Sequence, residues 1–218
     1  MATVRIPATG QEFRVGKVVC LARNYVDHIR ELGNAVPDAP VLFIKPATSI
    51  IGNGGQVVIP PTSRDCHHEV ELAVLIGRTV KNVAPETAMD CVAGYGVGID
   101  LTLRDVQAAL KAKGLPWEAA KGFDTACPLS DFVPAAQVAD PHALPIRFSI
   151  DGVVKQDATT ALMMRKLPEI ISFASRLFTL EAGDVILTGT PAGVGPVASG
   201  QRLVGEIAGV GRIEVTVA

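Results

Sequence analysis

Glycine and proline interrupt this chain so often that long helices have little room. Among 218 residues there are 21 Gly and 15 Pro. Between them lie short, β-branched apolar runs: "KVVCLA", "PVLFIK", "QVVIP", "VELAVLIG", "IRFSIDG", "DVILTGT" and "GRIEVTV". Each is bounded by Gly, Pro or Asp, the pattern of strands joined by tight turns. Asp151-Gly152 inside "SIDGVV" is a strong hairpin signal, because both turn positions need a left-handed backbone. The fold class expected is therefore β-dominated mixed α/β, with a few short helices. Three helices are predicted. The first spans 25–32 with Asn24 as N-cap and Gly33 as stop; the second spans 103–113 with Thr102 as cap and Gly114 as stop; the third begins near Pro168 and ends before Gly183. No linker or repeat divides the chain, so one domain over 1–218 is expected.

Composition narrows the function classes. Hydrophobic residues make up 48% and charged residues 19%, as in a folded globular protein. Net charge is −2 and no long basic stretch exists, which argues against a nucleic-acid partner. No run of 18 apolar residues is present, so no membrane span is expected. "MATVRIPATGQEFRVGK" lacks the apolar core of a signal peptide. Cys20, Cys66, Cys91 and Cys127 form no CxxC pair, so neither a disulfide framework nor a structural zinc site is expected. A reducing compartment, most simply the cytoplasm, fits these cysteines.

The chemistry concentrates in a few places. In "HHEVELAVLIG" the strand period puts Glu69 and Glu71 on one face, roughly 6–7 Å apart at their roots. That face continues as Ala73 and Leu75. Two like charges beside a buried surface are costly unless a cation neutralises them or a proton is shared. Either a hard divalent ion sits there, or the strand enters from solvent with both acids wet. Asp100, after the apolar run "GYGVGI", is a third oxygen donor or a solvated turn residue. His67 continues the Glu alternation; with His68 it makes no HExxH motif, and both read as supporting or surface residues.

In "RNYVDHIREL", His28 and Glu31 are helix neighbours three apart, the spacing of a histidine oriented by a carboxylate toward general-base work, or of an ordinary solvated pair. Arg23 and Asn24 precede that helix and can meet an anion. Lys45 and Lys121 are cations without a local partner, able to hold a substrate carboxylate or simply to be solvated. "TGTPAGVGP" is neither a P-loop nor a dinucleotide fingerprint; it is a structural turn or a carboxylate cradle to which Thr190 adds a hydroxyl.

Taken in order, "RNYVDHIREL", "VLFIKP", "HHEVELAVLIG", "GYGVGIDLTLRDVQ", "GLPWEAAKGFDTACPLSDFV" and "LTGTPAGVGP" resemble the fumarylacetoacetate hydrolase family over about 19–196, most of all its short acylpyruvate hydrolase branch. The resemblance implies a mixed β-roll with a few helices, usually a homodimer. It implies Mg²⁺ or Mn²⁺ on Glu69, Glu71 and Asp100; a His28–Glu31 dyad on a lid segment, 23–33; a charge-stabilising Lys121; and substrate contacts from Arg23, Lys45, Gln107 and Thr190. The activity it implies is hydrolysis of the carbon–carbon bond of an acylpyruvate such as acetylpyruvate or fumarylpyruvate. Oxaloacetate decarboxylation, or isomerisation or decarboxylation of a related diacid, is the alternative within the family. A non-catalytic β-rich interaction protein is the alternative outside it. Cys66 departs from the family pattern without a chemical role; Lys155 and Ala158 depart from it in a substrate-facing or dimer-facing loop, so the resemblance fixes the substrate preference less than the metal site.

Overall fold

The computed structural model describes residues 2–218. Its centre is a six-stranded sheet in the order Val133–Pro134, Val92–Ile99, Val70–Ile76, Val185–Leu187, Lys17–Ala22, Val41–Pro46. A five-stranded sheet packs nearby in the order Val153–Thr159, Pro145–Ile150, Arg202–Ile207, Gly211–Val217, Gln56–Val57. A small three-stranded sheet joins Thr102–Leu103, Cys66–His68 and Gly195–Pro196. This is a mixed α/β fold with a β-sheet core and few short helices.

The strand Val70–Ile76 is buried along its whole length. Val70, Leu72, Val74 and Ile76 join one apolar cluster with Phe148, Ile186 and Ile213. Ala73 and Leu75 join another with Phe43, Phe132 and Leu187. Each of these side chains larger than alanine stabilises the fold by about 1.5–3 kcal/mol when removed from water. The two cores hold this strand so firmly that it can carry charged residues at its start.

Strand directions then place the site. Lys17–Ala22 runs parallel to Val185–Leu187, which is antiparallel to Val70–Ile76, which is antiparallel to Val92–Ile99. The C-terminal ends of three strands and the start of the fourth therefore lie at one edge of the sheet. That edge carries Arg23, Asp100, Gly189 with Thr190, and Glu69 with Glu71.

Local signals hold in the turns and fail in two caps. Asp151 (φ +50°) and Gly152 (φ +82°) make the predicted hairpin turn. The helices are Val26–Glu31, Arg104–Ala112 and Leu167–Leu177, with short pieces at Pro85–Ala88 and Glu118–Lys121. Asn24 does not cap the first: its amide donates to Thr188 and Arg165 carbonyls and accepts from Arg165 N–H. Thr102 does not cap the second, because it is paired in a strand opposite His67. Both expected caps serve tertiary contacts that local sequence does not reveal.

Candidate metal centre and active site

Three acids meet at the sheet edge. Glu69, Glu71 and Asp100 each offer an oxygen within 4.8 Å of the others, and all three are buried. The predicted alternation holds for the two glutamates, and the solvated-strand reading does not. Glu71 pairs across the sheet with Gly98, where a Cβ would stand 2.6 Å from Leu187 Cδ2. Glycine there lets the strands and the loop beyond Leu187 close on the carboxylate.

The acids are not equally partnered. Glu69 accepts from Arg104 at 2.5 Å and from Lys121 Nζ at 2.8 Å. Burial opposes its ionisation, but the Lys121 and Arg104 charges outweigh burial and hold its pKa well below the ordinary value. Asp100 accepts from Lys121 Nζ at 2.6 Å through Oδ2. Its Oδ1 lies 2.9 Å from Lys45 Nζ, yet the angle makes no hydrogen bond, and this buried oxygen has no donor. Glu71 has no cationic partner among the described residues. It accepts only the Gly189 N–H, at 2.6 Å. Burial, then Asp100 and Glu69, push its pKa well above the ordinary value.

A donorless carboxylate oxygen and an acid without a counter-charge are what a cation would satisfy. Three hard oxygen donors suit Mg²⁺ or Mn²⁺ rather than a soft metal. Lys121 meets only part of that demand: it is buried, bridges Glu69 and Asp100 but not Glu71, and lies 4.9 Å from the Phe43 ring centroid. The arrangement fits a divalent ion held by Glu69, Glu71 and Asp100.

A cavity of about 140 Å³ opens over these acids. Arg23, His28, Gln107, Lys121 and Thr190, all candidates from sequence, line it together with the three acids. His28 is buried, and its Nδ1 lies 3.3 Å from Glu31 Oε2. A carboxylate only accepts, so Nδ1 carries the proton and Nε2 is left as the basic nitrogen. Glu31 also accepts the Gly193 N–H through Oε1 at 3.0 Å, tying the helix to the "TGTPAGVGP" loop.

Two expectations change in detail. Lys45 does not line the cavity: it is fully buried, donating to the carbonyls of Leu101, Lys121 and Ala126 beside Asp100. It is placed to support the acids from below, not to meet a substrate. Thr190 faces the cavity, but its hydroxyl proton goes to Val70 O at 2.8 Å and its oxygen accepts from Gln156. His67 bonds Asp65, and His68 stacks on Phe148 with Nδ1 toward Gln156, so neither reaches the acids. The sequence reading passed over Arg104, which grips Glu69 and Gln107. A cation four residues after Asp100 in the same motif is the signal that marks it.

The chain is similar to known proteins over most of its length. The family model described as "Fumarylacetoacetate (FAA) hydrolase C-terminal" matches residues 17–218. The chain belongs to the fumarylacetoacetate hydrolase family. It is 51% identical over 193 residues to the oxaloacetate tautomerase YcgM of Escherichia coli K12, covering 88% of each chain. It is 48% identical over 201 residues to the mitochondrial oxaloacetate tautomerase FAHD1 of Arabidopsis thaliana, covering 92% of this chain and 90% of that one. A fumarylpyruvate hydrolase from Pseudomonas aeruginosa, solved with Mn²⁺ and pyruvate, superposes with a TM-score of 0.95 at 35% identity, covering 100% of this chain and 95% of that one. The motifs point to the acylpyruvate hydrolase branch, whereas these sequence relatives are named for tautomerisation of oxaloacetate.

Proposed function

We propose that this chain is a divalent-metal-dependent enzyme that interconverts the enol and keto forms of oxaloacetate or a close 2-keto diacid. The observation that carries this reading is the near-full-length similarity to two oxaloacetate tautomerases. The small cavity supports it, lying below the roughly 300–1,000 Å³ of drug-sized sites. This reading shifts weight from carbon–carbon hydrolysis to the diacid alternative.

Glu69, Glu71 and Asp100 would hold the ion, Mg²⁺ or Mn²⁺, which supplies Lewis-acid charge for a 2-keto acid. Lys121 adds a fixed positive charge at the same point, where an enolate oxygen gains negative charge. His28 moves the proton. Its Nε2 takes a proton from C3 of the keto form and hands it to the C2 oxygen, which completes the enol. The reverse reaction moves the proton from the C2 oxygen through Nε2 back to C3, while Glu31 holds the ring through the Nδ1 proton. The segment 23–33, tied down through Glu31 and Gly193, serves as the lid that keeps bulk water from the enolate. Gln107 is held by Arg104 in position to meet the substrate head.

The test follows the absorbance of enol-oxaloacetate with added Mg²⁺ and again after chelation. Metal-dependent acceleration is expected, and a chelator-insensitive rate or none would refute the proposal. His28→Ala should lower the rate about 10²–10⁴-fold. Acylpyruvate hydrolysis stands as a second reading, favoured by the likeness to the fumarylpyruvate hydrolase structure. There His28 would take its proton from water, and release of pyruvate from acetylpyruvate or fumarylpyruvate in a parallel assay identifies it. A non-catalytic interaction protein gives no reason for three buried acids to converge. The four cysteines are free and buried, which suits the proposed cytoplasmic setting. A homodimer belongs to the proposal through the resemblance, and sedimentation checks it.

A further inference from the structure

The cavity is acidic at its floor and basic at its rim. Glu69, Glu71 and Asp100 are at most 5% exposed. Arg23 and Lys111 line the same cavity but sit nearer solvent, Arg23 half-buried and Lys111 exposed. Among the described residues neither has an acidic partner within 4 Å, whereas Arg104 is paired with Glu69. Two unpaired cations beside one small cavity repel each other unless an anion lies between them.

Three further observations make this rim look built rather than incidental. Arg23 has φ +58°, a left-handed conformation that a non-glycine residue adopts at a cost of order 1–3 kcal/mol. The strain is sustained by the neighbouring Asn24, whose side chain is anchored to Thr188 and Arg165. Lys111 is steered by a bond from Nζ to Asn34 Oδ1 at 3.1 Å, across 77 residues of sequence. Arg104 Nε, also from a cavity-lining side chain, is buried without an acceptor. Burial, then the charges of Arg23 and Arg104, pull the Lys111 pKa below its ordinary value, which agrees with cations crowded together without a counter-ion.

We propose that Arg23 and Lys111 form a carboxylate subsite at the cavity rim that takes the distal carboxylate of a dicarboxylic 2-keto acid. The inference rests on the reading above in placing the 2-keto acid head at the acidic floor. That reading already supplies a diacid, and the resemblance a substrate contact for Arg23; what is added is Lys111, and the assignment of both cations to the distal carboxylate as the groups that select a diacid over a monoacid. A monocarboxylic 2-keto acid would bind the floor and leave the two cations unmatched. Arg23 offers a planar fork for one carboxylate edge, and Lys111 offers a point charge that Asn34 keeps from swinging into solvent.

The experiment compares two unreactive ligands with the same 2-hydroxy acid head, malate and lactate, titrated calorimetrically into Mn²⁺-loaded protein. Only malate carries the distal carboxylate. Wild-type protein should prefer malate by tenfold or more. Lys111→Met and Arg23→Met should each weaken malate about tenfold and leave lactate within about twofold, the size of one lost charge-assisted hydrogen bond. Lys111→Arg should restore the preference, and its unchanged lactate binding would show that the fold is intact. Equal weakening of both ligands, or malate binding unaffected by both substitutions, overturns the subsite. The enol-oxaloacetate assay on the wild type separates the two claims. Malate preference that depends on Lys111, without oxaloacetate turnover, keeps the subsite and rejects the tautomerase. Turnover with no rim dependence keeps the tautomerase and rejects the subsite.

Discussion

At the residue scale, the site is a competition for positive charge. Glu69 and Asp100 share Lys121, Glu69 also holds Arg104, and Glu71 has only a backbone N–H. Glu71→Gln keeps an acceptor for Gly189 and removes a like charge from a buried cluster. Thermal unfolding without metal should show the variant at least as stable as wild type, by up to about 1 kcal/mol, while Mn²⁺ no longer stabilises it. Lys45 presents the opposite case. Lys45→Met leaves Asp100 beside its fellow acids with one cation fewer, and a broken buried pair costs about 3–5 kcal/mol. Urea denaturation should show that loss. A Lys45 that merely bound substrate would leave stability unchanged.

At the element scale, the helix Leu167–Leu177 shows how capping can come from afar. Lys166 occupies its N-cap position without a side-chain cap bond. The Leu167 N–H instead donates to His142 Nε2 at 3.1 Å. That bond needs neutral imidazole, and burial, with Lys166 adding to it, lowers the His142 pKa below its ordinary 6.5 despite Asp140. The unfolded chain therefore binds a proton more readily than the fold does. The contribution of His142 is whole above pH 6.5 and is lost as pH falls below 6.5 and through the lowered folded value. His142→Ala should cost about 1 kcal/mol at pH 8 and flatten that part of the stability–pH curve, read from denaturation midpoints between pH 8 and 5. Element types were legible from short Gly- and Pro-bounded runs and from Asp151-Gly152. The caps were not, because Asn24 and Thr102 have locally correct positions but bond partners more than 30 residues away.

At the scale of the whole molecule, metal and fold should be linked. A divalent ion that binds only the folded triad stabilises it by about 2.7 kcal/mol at 100 times its Kd, which for a chain this size is roughly 5–10 °C. Calorimetry with Mn²⁺ and then with chelator should show that rise and its reversal; an unmoved transition would mean the triad holds no ion. Much of this chain's chemistry was readable in its residues. The strand period alone put Glu69 and Glu71 on one face, helix spacing alone paired His28 with Glu31, and the order of motifs pointed to the family. These are short-range relations, set by backbone geometry over a few residues. Which cation supports the floor, which lines the rim and which acid lacks a partner are matters of contact across the chain. Lys45 and Lys121 read alike in sequence, yet one lies under Asp100 and the other bridges two acids above it. Arg23 and Lys111 share a cavity although 88 positions separate them. Such roles depend on how the strands cross and where their ends meet, and only the packed sheet decides that.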